Sequence, residues 1–92
     1  MKIRELNKAI ANIIIEVAAK YLEPAHIIKY NDWRGNCGNI YRRRVYKLMS
    51  ERVALEVLDK VNTINPGWML YKDLYASPKY PVAYGIKKYE NI

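Results

Sequence analysis

The chain has one cysteine, one histidine and neither glutamine nor phenylalanine among its 92 residues. A single cysteine, Cys37, excludes an intrachain disulfide and a zinc site built on cysteine pairs. Long apolar runs are also missing, because the longest one, which starts at Ile13, is interrupted by Glu16. The sequence therefore predicts neither a membrane-spanning helix nor a secretory signal peptide, and we expect a cytoplasmic protein without a membrane partner.

Groups that could perform catalysis are equally scarce. His26 lies beside two isoleucines, where a packed side chain is a more common role than a general base. Cys37 has no base near it in the sequence, and the surrounding glycines lack the lysine and Ser/Thr of a phosphate-binding loop. The carboxylates Asp32, Asp59 and Asp73 are scattered along the chain. The sequence thus predicts a protein that is not an enzyme and that holds no metal and no cofactor.

Size and charge narrow the class of protein further. The length predicts a single domain over 1–92, and a hydrophobic fraction of 51% suffices for its core. The net charge of +7 favours polyanionic partners, of which nucleic acid is the commonest. Abundant Ile and Lys without any Gln is typical of thermophilic archaeal or archaeal-virus proteins, although the eight Asn residues argue against that source.

The N-terminal segment has the clearest periodicity. Its apolar side chains recur at spacings of three and four and predict an amphipathic helix over about 2–21. Pro24 would follow the end of this helix and open a second, short helix over 24–32. A loop rich in glycine and asparagine, 33–39, comes next. The apolar stripe of the first helix could alternatively pair with a second copy of the chain in a homodimer.

All charged residues in the segment from residue 33 to residue 50 are cations. Its five charged residues are Arg34, Arg42, Arg43, Arg44 and Lys47. Apolar residues at helical spacing predict a third helix over about 40–50, which Asn39 would cap. A surface that served solubility alone would normally mix charges of both signs, so we expect the polar face of this helix to contact phosphate.

The pattern changes after residue 55. Alternating β-branched residues predict one strand over 56–63 and another over 81–89. The connection between them, 64–81, fits either a short helix or the extended tip of a hairpin. Its apolar and aromatic residues, if exposed, would form a surface for docking a protein partner: Trp68, Tyr71, Leu74 and Tyr75.

The order of these elements, and above all the segment RRVYKLMSERVALEVLDKV, resembles the winged helix-turn-helix family of DNA-binding proteins. The resemblance implies an α+β fold in which three N-terminal helices precede a β-hairpin wing with a long connection. It also implies that the third helix enters the major groove of DNA, where arginine pairs with guanine. The DNA-binding residues would be Arg34, Asn39, Arg42, Arg43, Arg44, Tyr46 and Lys47, together with Lys79, Lys87 and Lys88 in the wing.

Taken together, these patterns predict a small transcriptional regulator that binds double-stranded DNA with a basic recognition helix and associates with the nucleoid. Its affinity should fall steeply with salt concentration. Two alternatives stay open at this point. One is a basic accessory subunit or interaction module of a replication or transcription complex, and the other is a nucleoid-type protein that coats DNA.

Overall fold

The computed structural model describes residues 2–36, 39–74 and 82–91. The elements follow in the order α1 (Ile3–Lys20), β1 (Ile28–Asn36), β2 (Asn39–Met49), α2 (Glu51–Ile64), β3 (Met69–Asp73) and β4 (Ala83–Asn91). The strands form one antiparallel sheet in the order β1-β2-β4-β3. Both helices pack on the same side of it, around a shared apolar core. The predicted α+β class is correct, but the winged helix-turn-helix arrangement with three N-terminal helices is wrong.

The first helix is confirmed almost to the residue, since α1 covers Ile3–Lys20 where 2–21 was predicted. The apolar stripe that predicted it is buried. Its members are Leu6, Ile10, Ile14, Val17 and Ala18. The same stripe was the surface considered for a homodimer, and in the structure it packs inside the chain against α2 and the sheet.

Residues 24–32 and 40–50 do not form the predicted helices, because β1 and β2 pair as an antiparallel hairpin from Ile28↔Lys47 to Asn36↔Asn39. The reason lies in the burial of β2. Arg44, Val45 and Tyr46 are consecutive in the sequence, and all three are buried. Successive strand residues point to opposite faces of a sheet. Arg44 and Tyr46 are therefore buried on the side of the helices, and Val45 is buried on the opposite side among the side chains of the sheet itself. The predicted recognition helix is therefore a central strand.

The strand predicted over 56–63 is also wrong, since these residues belong to α2. Ser50 marks the start of this helix, where its side-chain oxygen accepts a hydrogen bond from the Val53 N–H at 3.4 Å. Val53, Val57 and Val61 recur every four residues and are all buried, which gives the helix one apolar face. The β-branched side chains favoured a strand, but packing of this face outweighs their weak intrinsic preference.

The described part of the connection 64–81 contains a strand, β3, which pairs with β4. Residues 75–81 lie outside the described residues. Two hydrogen bonds hold the turn before β3, because the Asn62 side chain accepts from the Trp68 N–H (2.9 Å) and donates to the Trp68 carbonyl (3.2 Å). The strand predicted over 81–89 is confirmed by β4.

A β-bulge near the end of β2 completes the core. The pairing with β4 shifts between Tyr46 and Met49, and Leu48 has a φ of 73°. A regular strand would send residues 46 and 49 to opposite faces, whereas the extra residue lets both enter the core. Gly85 of β4 faces this bulge, and a Cβ there would lie 1.8 Å from the Tyr46 carbonyl oxygen. Only glycine fits at that position.

Candidate nucleic-acid interface

The alternation of side chains along β2 divides the cationic run between the two faces of the sheet. Arg42, Arg44 and Tyr46 lie on the side of the helices, where they contact Glu90 and Asn7. Arg43 and Lys47 lie on the other side, which neither α1 nor α2 covers. We call this second side the open face. The single cationic surface that a helix would have presented is therefore split in two.

Tyrosine rings and cations interleave on the open face. Tyr30 of β1 donates a hydrogen bond to the Tyr71 hydroxyl of β3 at 3.1 Å, so the two side chains reach toward each other across the sheet. The Arg43 guanidinium and the Lys47 ammonium lie 5.8 and 5.4 Å from the centre of the Tyr30 ring. Val45, on the same side of β2, is completely buried. The contacts of Arg43 and Lys47 with the Tyr30 ring are cation–π pairs, which hold the charged groups against aromatic surface.

Lys87 of β4 lies on the open face beside two exposed side chains. Its ammonium lies 5.9 Å from the Tyr71 ring centre and 5.7 Å from that of Tyr89. The Tyr89 side chain remains 45% exposed, and Met69, which pairs with Lys87 in the sheet, is exposed as well. Within the described residues Lys87 makes no ion pair. This corner therefore combines an accessible aromatic ring with a cation whose charge is balanced by no described carboxylate.

The other two cations of the open face are paired. Arg43 contacts Asp32 at 2.8 Å, and Lys47 contacts Asp73 at 3.2 Å. Both pairs are partly buried, with less than a third of each side chain exposed. Counted with Lys87 over the side chains that the structure describes, the face carries three positive and two negative charges, a surplus of one positive charge. The surplus falls at the exposed corner.

Tyr71 of the open face stays protonated at neutral pH. The hydrogen bond between the Tyr71 and Tyr30 hydroxyls, together with burial, raises the pKa of Tyr71 to about 12. The pKa of Arg43 is also raised, because the influence of Tyr30, Tyr89 and Asp32 outweighs the lowering by burial. The face thus combines tyrosine rings with cations, an arrangement that suits stacking on bases and contact with phosphate.

On the helix side, three cations surround one carboxylate. Arg42 donates to Glu90 Oε2 through Nη2 and, at 3.2 Å, through Nε, while Arg44 Nη1 lies 3.1 Å from Oε1. Lys88 Nζ is 3.9 Å from the same oxygen. Burial alone would raise the pKa of Glu90, but the Arg42 hydrogen bond and the charges of the three cations outweigh it and lower this pKa. Glu90 is therefore ionised at neutral pH.

Arg44 and Tyr46 are buried beneath α1. The Asn7 Oδ1 of α1 accepts hydrogen bonds from the Tyr46 hydroxyl at 2.8 Å and from Arg44 Nη2 at 3.4 Å. The Arg44 guanidinium also lies 5.3 Å from the ring centre of Trp68, which is itself part of the core. Burial raises the pKa of Tyr46 to about 12. The residues that the sequence assigned to DNA and to a protein partner thus meet here in the interior.

The remaining predicted site residues are spread over the molecule. Arg34 and Asn39 lie in the β1–β2 hairpin, opposite Tyr41 and Asn36 in the register. Leu74 is exposed just after β3, whereas Tyr75 and Lys79 lie outside the described residues. Contact with DNA or with a protein partner stays a prediction for all of these positions.

Tyr30 and Tyr89, two of the rings on the open face, were not among the predicted site residues. Tyr30 lies in the segment IKYN, where apolar or aromatic residues alternate with polar ones. An alternating pattern of this kind indicates a strand with two different faces. The prediction of a helix over 24–32 concealed it for Tyr30, whereas Tyr89 lay in the strand predicted over 81–89.

Comparison of the chain with models of protein families, with curated proteins and with solved structures finds no match. In the described ranges no helix is long and apolar enough to cross a membrane. In the same ranges, His, Cys, Asp and Glu side chains do not gather in threes as metal ligands would. The geometry of the sheet is therefore the basis for assigning a function.

Proposed function

We propose that this protein binds single-stranded nucleic acid, with unpaired bases stacked on the tyrosines of the open face and phosphates held by its cations. The observation that carries the proposal is the corner at Lys87, where a cation with no ion-pair partner among the described residues lies between the Tyr71 and Tyr89 rings. Proteins that bind single strands combine such rings with a positively charged track, because every base has an aromatic face to stack on.

A strand of nucleic acid would run across the sheet from β3 and β4 toward β2. A base would stack first on Tyr89, whose ring is the most exposed one of the face. Lys87 would then meet a phosphate beside it, and Arg43 and Lys47 would meet the next ones while their carboxylate partners hold their side chains in place. Backbone contacts of this kind would give affinity with little sequence preference.

Unpaired bases suit this surface better than a duplex does. The prediction of duplex binding depended on a recognition helix over 40–50, and those residues form a central strand. Stacking requires a base face that a duplex keeps inside its own stack. The roles of regulator and of accessory subunit remain predictions from sequence, and the exposed side chains of Met69, Leu70 and Leu74 are the apolar surface that a protein partner would use.

Fluorescence anisotropy with labelled oligo(dT), oligo(U) and a hairpin duplex tests the proposal. We expect the single strands to bind more tightly than the duplex. Three phosphate contacts would give a slope of log affinity against log salt near roughly −2, since each contact on a single strand contributes about −0.7. Tyr89→Ala should weaken binding by about tenfold or more, whereas Tyr89→Phe should retain it, because loss of one stacked base costs about 1–3 kcal/mol.

Lys60→Gln is the matched control for Lys87→Gln, because Lys60 is an exposed lysine on α2, away from the open face. Lys87→Gln should reduce the salt slope by about 0.7, and Lys60→Gln should leave it unchanged. Equal effects of the two variants would reject the open face as the binding surface. Tighter binding of the duplex would reject the single-strand proposal in favour of the prediction from sequence.

A further inference from the structure

The helix side of the sheet carries a second cationic surface, formed by residues of the neighbouring strands β1, β2 and β4. The register places Trp33, Arg42 and Glu90 in one row across these strands, and Asn31, Arg44 and Lys88 in the next. Lys29 follows in the third row, opposite Tyr46. We call Lys29, Arg42, Arg44 and Lys88 the basic cluster.

The charges of the basic cluster are far from balanced. It holds four cations, and Glu90 is the only carboxylate that the described residues of these three rows contribute, so the net charge is +3. Arg44 and Lys88 stand directly opposite each other in the sheet, where like charges repel. The Nε of Arg44 is buried without a hydrogen-bond partner among the described residues. Binding of another anion would reduce the repulsion among these cations and is therefore favourable.

The pKa of Lys29 shows the effect of these positive charges. Its pKa is lowered, first by burial and then by the positive charges of Arg44 and Arg42. The side chain nevertheless lies at the surface, as does Trp33, which is 60% exposed beside Arg42. An anion can therefore reach the space in front of Lys29 and Arg42 from solvent.

Arg42 has donors to spare for such an anion. Its Nε and one N–H of Nη2 point to Glu90, and the guanidinium has five N–H groups in total. The fork geometry of arginine matches the oxygens of phosphate, and a lysine beside it adds a point charge. Glu90 keeps the arginines in place while the site is empty of ligand and competes with the ligand for them.

We propose that the basic cluster binds a phosphate group, either free or as part of a nucleic-acid backbone, between Lys29 and Arg42. This site goes beyond the proposed function, because it lies on the opposite face of the sheet from Lys87 and Tyr89. It does not depend on stacking of bases.

NMR titration of the Lys29 side chain, in sodium phosphate and in sodium chloride at equal ionic strength, tests the site. Phosphate should raise the Lys29 pKa, because a bound anion offsets the charges of Arg42 and Arg44. Quenching or enhancement of Trp33 fluorescence gives the affinity, and Lys29→Gln should weaken it by about tenfold or more. An unchanged Lys29 pKa in phosphate would overturn the proposal.

Glu90→Gln supplies a change in the opposite direction. Removal of the competing carboxylate should tighten phosphate binding, a gain that general destabilisation of the fold would not produce. Weaker or unchanged binding by a folded Glu90→Gln protein would count against the site, and Lys29→Gln keeps the test possible if that variant does not fold. Lys60→Gln is the matched control, because Lys60 is an exposed lysine of α2 outside both proposed surfaces, and it should leave phosphate affinity unchanged.

The source of the phosphate follows from oligonucleotide binding by the same variants. If Lys29→Gln weakens both inorganic phosphate and oligo(dT), the site serves the nucleic-acid backbone, and if it weakens phosphate alone, the ligand is a free phosphate group. Either result supports the site. If Tyr89→Ala binds oligo(dT) as tightly as the original protein does, the open face is rejected as the binding surface. That result would not affect the phosphate titration of the basic cluster, so the two proposals can fail separately.

Discussion

Replacement of Asn7 by alanine is the sharpest test of the buried contact between α1 and β2. The Asn7 side-chain oxygen accepts hydrogen bonds from Tyr46 (2.8 Å) and Arg44 (3.4 Å), two side chains that are 1% exposed. Alanine would remove the acceptor and leave both donors without water to replace it. A buried donor that loses its partner costs about 1–3 kcal/mol.

The longer bond to Arg44 contributes less, since the guanidinium keeps Glu90 and the Trp68 ring as partners. We therefore expect Asn7→Ala to lower the free energy of unfolding by about 2–4 kcal/mol. For a domain of this size each kcal/mol corresponds to about 4–8 °C, so the melting temperature should fall by roughly 15 °C. Thermal and urea unfolding followed by circular dichroism measure both quantities.

Asn12→Ala is the matched control, because Asn12 is an exposed asparagine on the same helix. There the better helix propensity of alanine should leave stability unchanged or slightly higher. Tyr46→Phe removes one donor, and a double-mutant cycle with Asn7→Ala should give a coupling energy of about 1 kcal/mol or more. If Asn7→Ala costs no more than Asn12→Ala, and the coupling is zero, then the buried network between α1 and β2 does not exist.

Two further predictions concern the β-bulge and the dependence of stability on pH in acid. Gly85→Ala should destabilise the fold by about 3 kcal/mol or more, because the new methyl would lie 1.8 Å from the Tyr46 carbonyl oxygen; a variant as stable as the original protein in urea unfolding would contradict the bulge geometry. Glu90 has a lowered pKa in the folded protein, so its contribution to stability is complete above the ordinary value of 4.5 and is lost as the pH falls below it. Glu90→Gln should therefore lower the melting temperature at neutral pH and make it depend less on pH below 4.5, and equal acid sensitivity of the two proteins would exclude this role of Glu90.

The proposed binding surface was only partly accessible from the sequence. The run of cations between residues 33 and 50 identified Arg43 and Lys47 as candidates, and the wing residues included Lys87. Nothing in the order of residues showed that Arg44 and Tyr46 would be covered by α1, because their burial depends on Asn7, 37 and 39 residues away. The rings of Tyr30 and Tyr89 joined the site only when β1 and β4 came to lie on either side of β2.

What the sequence determined by itself is the part in which local pattern and final environment agree. The apolar residues of α1 recur only at helical spacing, so their pattern fits no other element. The segment rich in Val, Ile and Tyr near the end of the chain forms β4 as predicted. The segment 39–49 satisfies both a helical and an alternating pattern, and the valines of 53–61 favour a strand by their branching. Such preferences differ by only about 1 kcal/mol per residue. Tertiary structure decided both cases, since burying Val45 and Tyr46 between two neighbouring strands, and the valine face of α2 against the core, is worth several times that amount.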